Sequence, residues 1–254
     1  MAWCAAAGVL RLLPDSAVGP PAWFDFSSRF AGAGIRALLS RRDGAPGSAD
    51  FDGVDLDEHR RQLAAALGIE PHRLAVPRQV HGNRVEQASP GRLHAETDGL
   101  ITGDPDTVLT LQVADCVPLF LYHPATGRRG LVHAGWRGAA GQIANLAVQQ
   151  MAEAGSPAHE LVAFLGPCIE QDCYAVGPEV GQQFDPALSR SNTGGGYQLD
   201  IAGALRQQLG AAGVPAAQVH SAGICTHCDQ AAHSYRRDGH RAGRMIAFFY
   251  QNGA

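Results

Sequence analysis

At 254 residues, of which 45% are hydrophobic, the chain has the length and composition of one globular domain, long for a single core and short for two. A formal net charge of -4 gives no general attraction to phosphate backbones, which argues against nucleic acid and toward a small molecule as partner. No apolar run approaches the roughly 18 residues that span a bilayer, so no membrane segment is expected.

Met1 to Leu13 is Ala-rich and mildly apolar, but it lacks a basic start and its only arginine falls inside the apolar run. It reads as a first strand of a cytoplasmic protein rather than as an export signal. The cysteines at 4, 116, 168, 173, 225 and 228 are thinly spread, as in a reduced compartment rather than a disulfide framework. Trp23 to Arg29 (WFDFSSR) reads as a strand, followed by a flexible turn at Phe30 to Gly34. Ser40 to Asp55 turns polar and Gly-rich, as a surface loop does. Asp57 to Leu67 carries charges and an apolar stripe of Leu63, Ala66 and Leu67, and Gly68 closes it as a helix. Leu74 to Val80 and Arg84 to Gln87 read as strands flanking His81, with His81-Gly82-Asn83 as the tight turn at their tip. Asp98-Gly99 also reads as a turn.

The most informative stretch is Leu111 to Gly138, LQVADCVPLFLYHPATGRRGLVHAGWRG. Val108 to Val113 and Val117 to Tyr122 are short and apolar, as buried strands are. His123 to Gly127 reverses the chain, and Gly130 to His133 restarts as a strand, so Cys116 and His133 stand at the two open ends of a hairpin. Asp115, next to Cys116, points to the opposite face by strand alternation and reads as an acceptor for backbone amides beneath the site. The loop Ala134 to Gly138 leads into a helix with Ile143, Leu146, Ala147 and Met151 on its apolar face, and the amides at that helix start could cradle an anion.

Farther on, Leu161 to Leu165 reads as a strand running into the turn Gly166-Pro167-Cys168. Val176 to Phe184 and Asp200 to Leu209 read as helices separated by the Asn192 to Gly196 loop. Val219 to Ile224 and Met245 to Tyr250 read as strands. Ser234 to Gly239 (SYRRDG) reads as an ion-pair corner, and Gly243-Arg244 shares its ambiguity between structure and substrate.

A neighbouring cysteine and histidine support two chemistries: imidazole lowers a thiol's pKa to make a nucleophile, and both groups bind zinc. His81 would complete a three-ligand set that leaves one position open. His94-Ala95-Glu96 with Cys225-Thr226-His227-Cys228 imitates the pieces of a nucleobase deaminase site, but about 130 residues separate them and no proline precedes Cys225. A structural metal at Cys225-x-x-Cys228 lacks a second Cys-x-x-Cys, and Cys168 to Cys173 has the wrong spacing.

Taken together, QVHGNRV around His81, TDGLIT from Thr97, ADCVPL around Cys116, HAGWRG from His133, GPCI from Gly166, and SYRRDG with GRM near the C-terminus resemble the laccase-domain or polyphenol oxidase family. Its members are also called purine nucleoside phosphorylase-like proteins and peptidoglycan editing factors. The resemblance runs from about Phe26 to Tyr250 and implies an α+β fold over 1–254, a single four-layer α/β/β/α mixed β-sandwich. It further implies zinc on His81, Cys116 and His133, which would also be the catalytic residues. The implied reactions are phosphorolysis of adenosine, inosine and methylthioadenosine to base plus sugar 1-phosphate, and deamination of adenosine to inosine. Arg29, Arg137 and Gln79 are the candidates for holding substrate or phosphate, although Phe30 and Ala31 replace the residues usual after that arginine. The protein is expected as a monomer or homodimer. One alternative is a Cys116/His133 cysteine hydrolase editing peptidoglycan precursors. A copper-dependent polyphenol oxidase is the other. A four-copper site needs roughly ten histidines, many as His-x-His; the chain has 11 histidines and no such pair, while Cu2+ in the two-His, one-Cys set is chemically reasonable.

Overall fold

A computed structural model describes residues 23–30, 32, 34–42 and 56–252. The expected first strand at Met1 to Leu13 and most of the Ser40 to Asp55 loop lie outside the described residues. In chain order the elements are β1 (Trp23–Asp25), β2 (Ile35–Ser40), α1 (Leu56–Ala66), β3 (Leu74–Pro77), β4 (Val85–Gln87), β5 (Leu93–His94), β6 (Gly99–Thr102), β7 (Val108–Val113) and β8 (Val117–Tyr122). There follow β9 (Arg129–Ala134), α2 (Trp136–Ala140), α3 (Ile143–Glu153), β10 (Val162–Leu165), β11 (Ala175–Val176), α4 (Pro178–Gly181), β12 (Ser189–Ser191), β13 (Tyr197–Leu199), α5 (Ile201–Ala211), β14 (Val219–Ser221), α6 (Tyr235–Asp238) and β15 (Met245–Gln251).

Two six-stranded mixed sheets, ordered β1-β2-β15-β7-β3-β5 and β14-β10-β8-β9-β6-β4, stack face to face, and β11-β13-β12 form a small third sheet. Between the large sheets lies a buried aromatic core. Phe120 of β8 and Phe164 of β10 meet Phe249 of β15 together with Phe26 and Phe30. The second sheet's other face carries Val117, Leu119, Leu121 and Val132 against Ala147, Met151 and Leu205 of α3 and α5. The first sheet's outer face packs Leu38, Ile246 and Phe248 on Leu63 and Ala64 of α1. The layers therefore run helix, sheet, sheet, helix. Strands buried on both faces read as unbroken apolar runs, which is why Val117 to Tyr122 shows no alternation.

Three details differ from expectation. The helix expected over Val176 to Phe184 shrinks to Pro178–Gly181, because the chain must turn at Asp185-Pro186 to enter β12 and the residue before proline resists the helical region. The buried stripe of α1 is Arg60, Leu63 and Ala64, with Ala66 exposed. The strand at Trp23 stops at Asp25, where Ser27–Arg29 tightens into a 3-10 turn.

The chain crosses from the first sheet to the second three times, between β3 and β4, between β5 and β6, and between β7 and β8. Those crossings carry His81, Asp98 and Cys116 respectively.

Candidate metal centre

The hairpin β8–β9 pairs Val117 with Ala134 and Pro118 with His133, which sets Cys116, just before β8, beside the end of β9. His81 arrives from the first crossing. Its Arg78 to Arg84 segment is therefore not the tip of a hairpin, as the sequence suggests, but a bridge between the stacked sheets. One donor atom from each of His81, Cys116 and His133 lies within 4.8 Å of the other two. The two imidazole rings stand nearly perpendicular, at 83°, with centroids 4.7 Å apart. His133 is buried, Cys116 half-buried and His81 exposed, so the cluster opens on one side to solvent.

Asp98 holds this arrangement and was hidden in the sequence. The Asp98-Gly99 pair is not a turn: Gly99 begins β6, and Asp98 is fully buried at the second crossing. Its carboxylate accepts from His133 Nδ1 at 2.8 Å and from the backbone amides of Val80, His81 and Gly82 at 3.2, 3.0 and 2.8 Å. An ionised carboxylate only accepts, so Nδ1 of His133 carries its proton and Nε2 is the nitrogen left for a ligand. The same oxygens pin the loop in which His81 adopts a left-handed φ of 59°. The signal for this role in sequence is faint: an acid directly before an apolar strand must find donors once buried.

Asp115 behaves as expected. It sits at the third crossing with φ 86° and accepts from Thr226 Oγ1 and from the amide of Arg236, both at 2.6 Å. Gln79 does not point its amide at a substrate. Its side chain donates to the carbonyl of Gln112 and accepts from that residue's amide, each at 2.8 Å, which ties the first crossing to β7. Arg29 is exposed, and its neighbour Phe30 packs on Tyr122, at the end of β8 remote from Cys116. Arg137 lies exposed in α2 and stacks on the Trp136 ring at 4.4 Å. The other imitation of a deaminase site dissolves. His94 is buried, with Nδ1 on Glu86 at 2.9 Å and Nε2 accepting from Ser89.

Sequence reasoning left the cluster's other neighbours in doubt, and the structure places them. Burial pushes the Tyr174 phenol up to about 12, with the Cys116 charge adding to the effect. Arg236 stacks on Tyr174 at 5.2 Å and Arg244 on Tyr235 at 5.9 Å. Burial lowers the Arg244 pKa while the Cys116 charge opposes that shift. The SYRRDG corner thus divides its work. Arg237 braces the fold and Arg236 donates to the Ala175 carbonyl beside Tyr174, while Arg244 lies beyond the corner, in the GRM stretch, and donates to the carbonyls of Ala242 and Gly243.

HAGWRG has a tight glycine at 135 and one at 138 that leaves no room for a side chain. A Cβ on Gly135 would lie 3.1 Å from Cys116 Sγ and 3.2 Å from His81 Cδ2, and one on Gly138 would lie 2.7 Å from the carbonyl oxygen of Gly82. Alanine at position 138 would favour the helix by up to about 1 kcal/mol, yet it must displace the loop that carries His81. Gly138→Ala is expected to weaken zinc binding roughly 10-fold with little loss of helix content, measured by competition with a chromophoric chelator. Unchanged affinity would contradict the contact.

Burial pushes the Cys116 thiol up, but the His133 charge and hydrogen bonds from both histidines outweigh it and bring the pKa to about 6. Burial lowers His133, and the Cys116 charge and Asp98 bond outweigh that, to about 9. Asp98 ends below the ordinary carboxylate range despite burial, held there by His133 and the backbone amides. Without metal the pair is a thiolate beside an imidazolium near neutral pH. In metal-free protein, alkylation of Cys116 by iodoacetamide, followed on its own peptide by mass spectrometry, should fall as pH drops through about 6 and be flat above about 7. A rate still rising between pH 8 and 9 would refute the pairing. Two imidazoles and one thiolate match the donor preference of zinc, and a soft set of this size leaves a fourth position for water or substrate.

Residues 47–252 match the family described as multi-copper polyphenol oxidoreductase laccase. Over 227 residues the chain is 38% identical to a purine nucleoside phosphorylase of Deinococcus radiodurans, covering 82% of this chain and 86% of the relative. It is 32% identical to adenosine deaminase RL5 of an unknown prokaryotic organism, covering 86% and 94%. The crystal structure of YlmD from Geobacillus stearothermophilus superposes with a TM-score of 0.83 at 30% identity, covering 95% of this chain and 98% of that one.

Proposed function

Since the chain belongs to the multi-copper polyphenol oxidoreductase laccase family, we propose that it is a zinc-dependent enzyme acting on purine nucleosides. The reactions proposed are phosphorolysis of adenosine, inosine and methylthioadenosine, and deamination of adenosine. The observation that carries this reading is the solvent-facing His81, Cys116 and His133 cluster with its histidine oriented by a buried carboxylate. The relatives named purine nucleoside phosphorylase and adenosine deaminase supply the substrate class.

His81 Nε2 or Nδ1, Cys116 Sγ and His133 Nε2 would hold the ion. When bound, zinc supplies Lewis acidity at the reacting end of the nucleoside. The chain's own residues do the rest. Asp98 keeps the His133 tautomer fixed and both histidines in place. Tyr174 and Trp136, each carrying a stacked guanidinium, would border a bound purine, and Arg137 would turn its guanidinium fork to phosphate. Cu2+ would take the same three donors. A four-copper oxidase is not supported by this donor set, because only two groups of three or more metal-capable side chains occur among the described residues.

The test is product analysis on zinc-loaded protein. Adenosine with phosphate should give adenine and ribose 1-phosphate, and without phosphate inosine and ammonia. Failure to consume any of the three nucleosides would overturn the reading. One observation favours a second reading, a cysteine hydrolase with Cys116 as nucleophile and His133 as base: the thiol's pKa of about 6. That enzyme would keep its activity in chelator and lose it on alkylation of Cys116.

A further inference from the structure

A second soft-ligand cluster stands apart from the three residues above. Cys173, His227 and Cys228 each place a donor atom within 4.8 Å of the other two, and the Cys173 and Cys228 sulfurs are 3.4 Å apart. The Cys-x-x-Cys spacing misleads here. Cys225 is buried, its backbone paired with that of Cys168, so only Cys228 of that motif faces the cluster, and its true partner lies 55 residues earlier.

The backbone that presents these side chains is tightly fixed. Cys173 ends the 3-10 turn Gln171–Cys173. His227 and Cys228 lie in a turn closed by the amides of Cys228 and Asp229 on the Cys225 carbonyl, at 3.2 and 2.9 Å. The Arg237 guanidinium donates to the carbonyls of Thr226, His227 and Asp229 at 2.9, 3.2 and 3.1 Å, locking that turn from α6. Thr226 meanwhile bonds Asp115. Donors set on such anchored backbone need little ordering on binding.

We propose that Cys173, His227 and Cys228 form a second zinc site. Tetrahedral zinc with Zn–S near 2.3 Å and Zn–N near 2.0–2.1 Å separates its donor atoms by roughly 3.5–3.8 Å, and the present spacing needs only small side-chain rotations to reach it. Cys228 is exposed, so the fourth position faces solvent. A Cys173–Cys228 disulfide would require the sulfurs to close to about 2.05 Å and would leave the adjacent imidazole without a role. Cys173 immediately precedes Tyr174, and His227 follows the threonine bound to Asp115, so the ion ties the turn before Tyr174 to the turn that Asp115 anchors. Its place is structural and independent of what the first site catalyses.

The experiment is native mass spectrometry of the full chain, reduced, stripped of metal and titrated with Zn2+. Wild type should take up two ions, Cys173→Ser/Cys228→Ser one, and Cys116→Ala one. Wild type saturating at one ion, or the double variant still binding two, would overturn the proposal. So would a species 2 Da lighter that forms without reductant and holds its cysteines as a Cys173–Cys228 disulfide while wild type binds a single zinc. Should the double variant fail to fold, Co2+ titration of wild type decides: thiolate-to-cobalt absorption should grow through two equivalents, and a stop at one contradicts the site.

Discussion

Cys116→Ala is expected to lower adenosine turnover by about three orders of magnitude, the several kcal/mol that a Lewis-acid centre contributes to a polar transition state. The variant should also lose the ion of the Cys116 site while keeping its fold. The thiolate is the only anionic donor of the three, and alanine leaves two imidazoles that cannot neutralise a dication. It also removes the charge that raises His133, so the imidazole loses its main reason to hold a second proton. Steady-state rates beside metal content measure the effect. Turnover within 10-fold of wild type would mean that neither zinc chemistry nor a cysteine nucleophile runs through this residue.

Asp98→Asn is expected to cost roughly 3–5 kcal/mol of stability, the scale for removing one partner of a buried charged pair, and to weaken zinc about 100-fold. The carboxylate serves four donors: His133 Nδ1 and the amides of Val80, His81 and Gly82. An asparagine oxygen satisfies only part of them, and its NH2 faces donors. Since the Asp98 pKa is lowered in the fold, its contribution is complete above the ordinary carboxylate value and disappears as pH falls through and below it. The gap between wild type and variant in urea unfolding should therefore be full near pH 7 and shrink below about pH 4. A constant gap across that range would contradict Asp98 as the charged anchor.

The sequence disclosed the hairpin of Val117 to Ala134 because its first arm is an unbroken apolar run and its turn carries Pro and Gly, so Cys116 and His133 were visible as a pair. Glycine at 135 and 138 was visible as a motif but not as a steric need, since the contacts come from Cys116 and from His81's loop, which only the fold brings there. Asp98 was obscured by its own neighbour: Asp-Gly is a strong turn signal, and nothing local shows that the acid is buried between two sheets. Motif order suggests Arg29 for the site, while its neighbour Phe30 packs on Tyr122, the residue of β8 farthest from Cys116. The second cluster escaped for a topological reason, because Cys173 and Cys228 meet only through the fold and the nearer Cys225 gives a false spacing.

Nucleoside chemistry on this chain is expected to depend on one metal ion at His81, Cys116 and His133. The most direct measurement titrates Zn2+ into metal-free Cys173→Ser/Cys228→Ser protein while following adenosine consumption. Activity should rise from zero and level at one ion per chain. Full activity before zinc is added, or none after a full equivalent has bound, would show that the chemistry does not run through this ion.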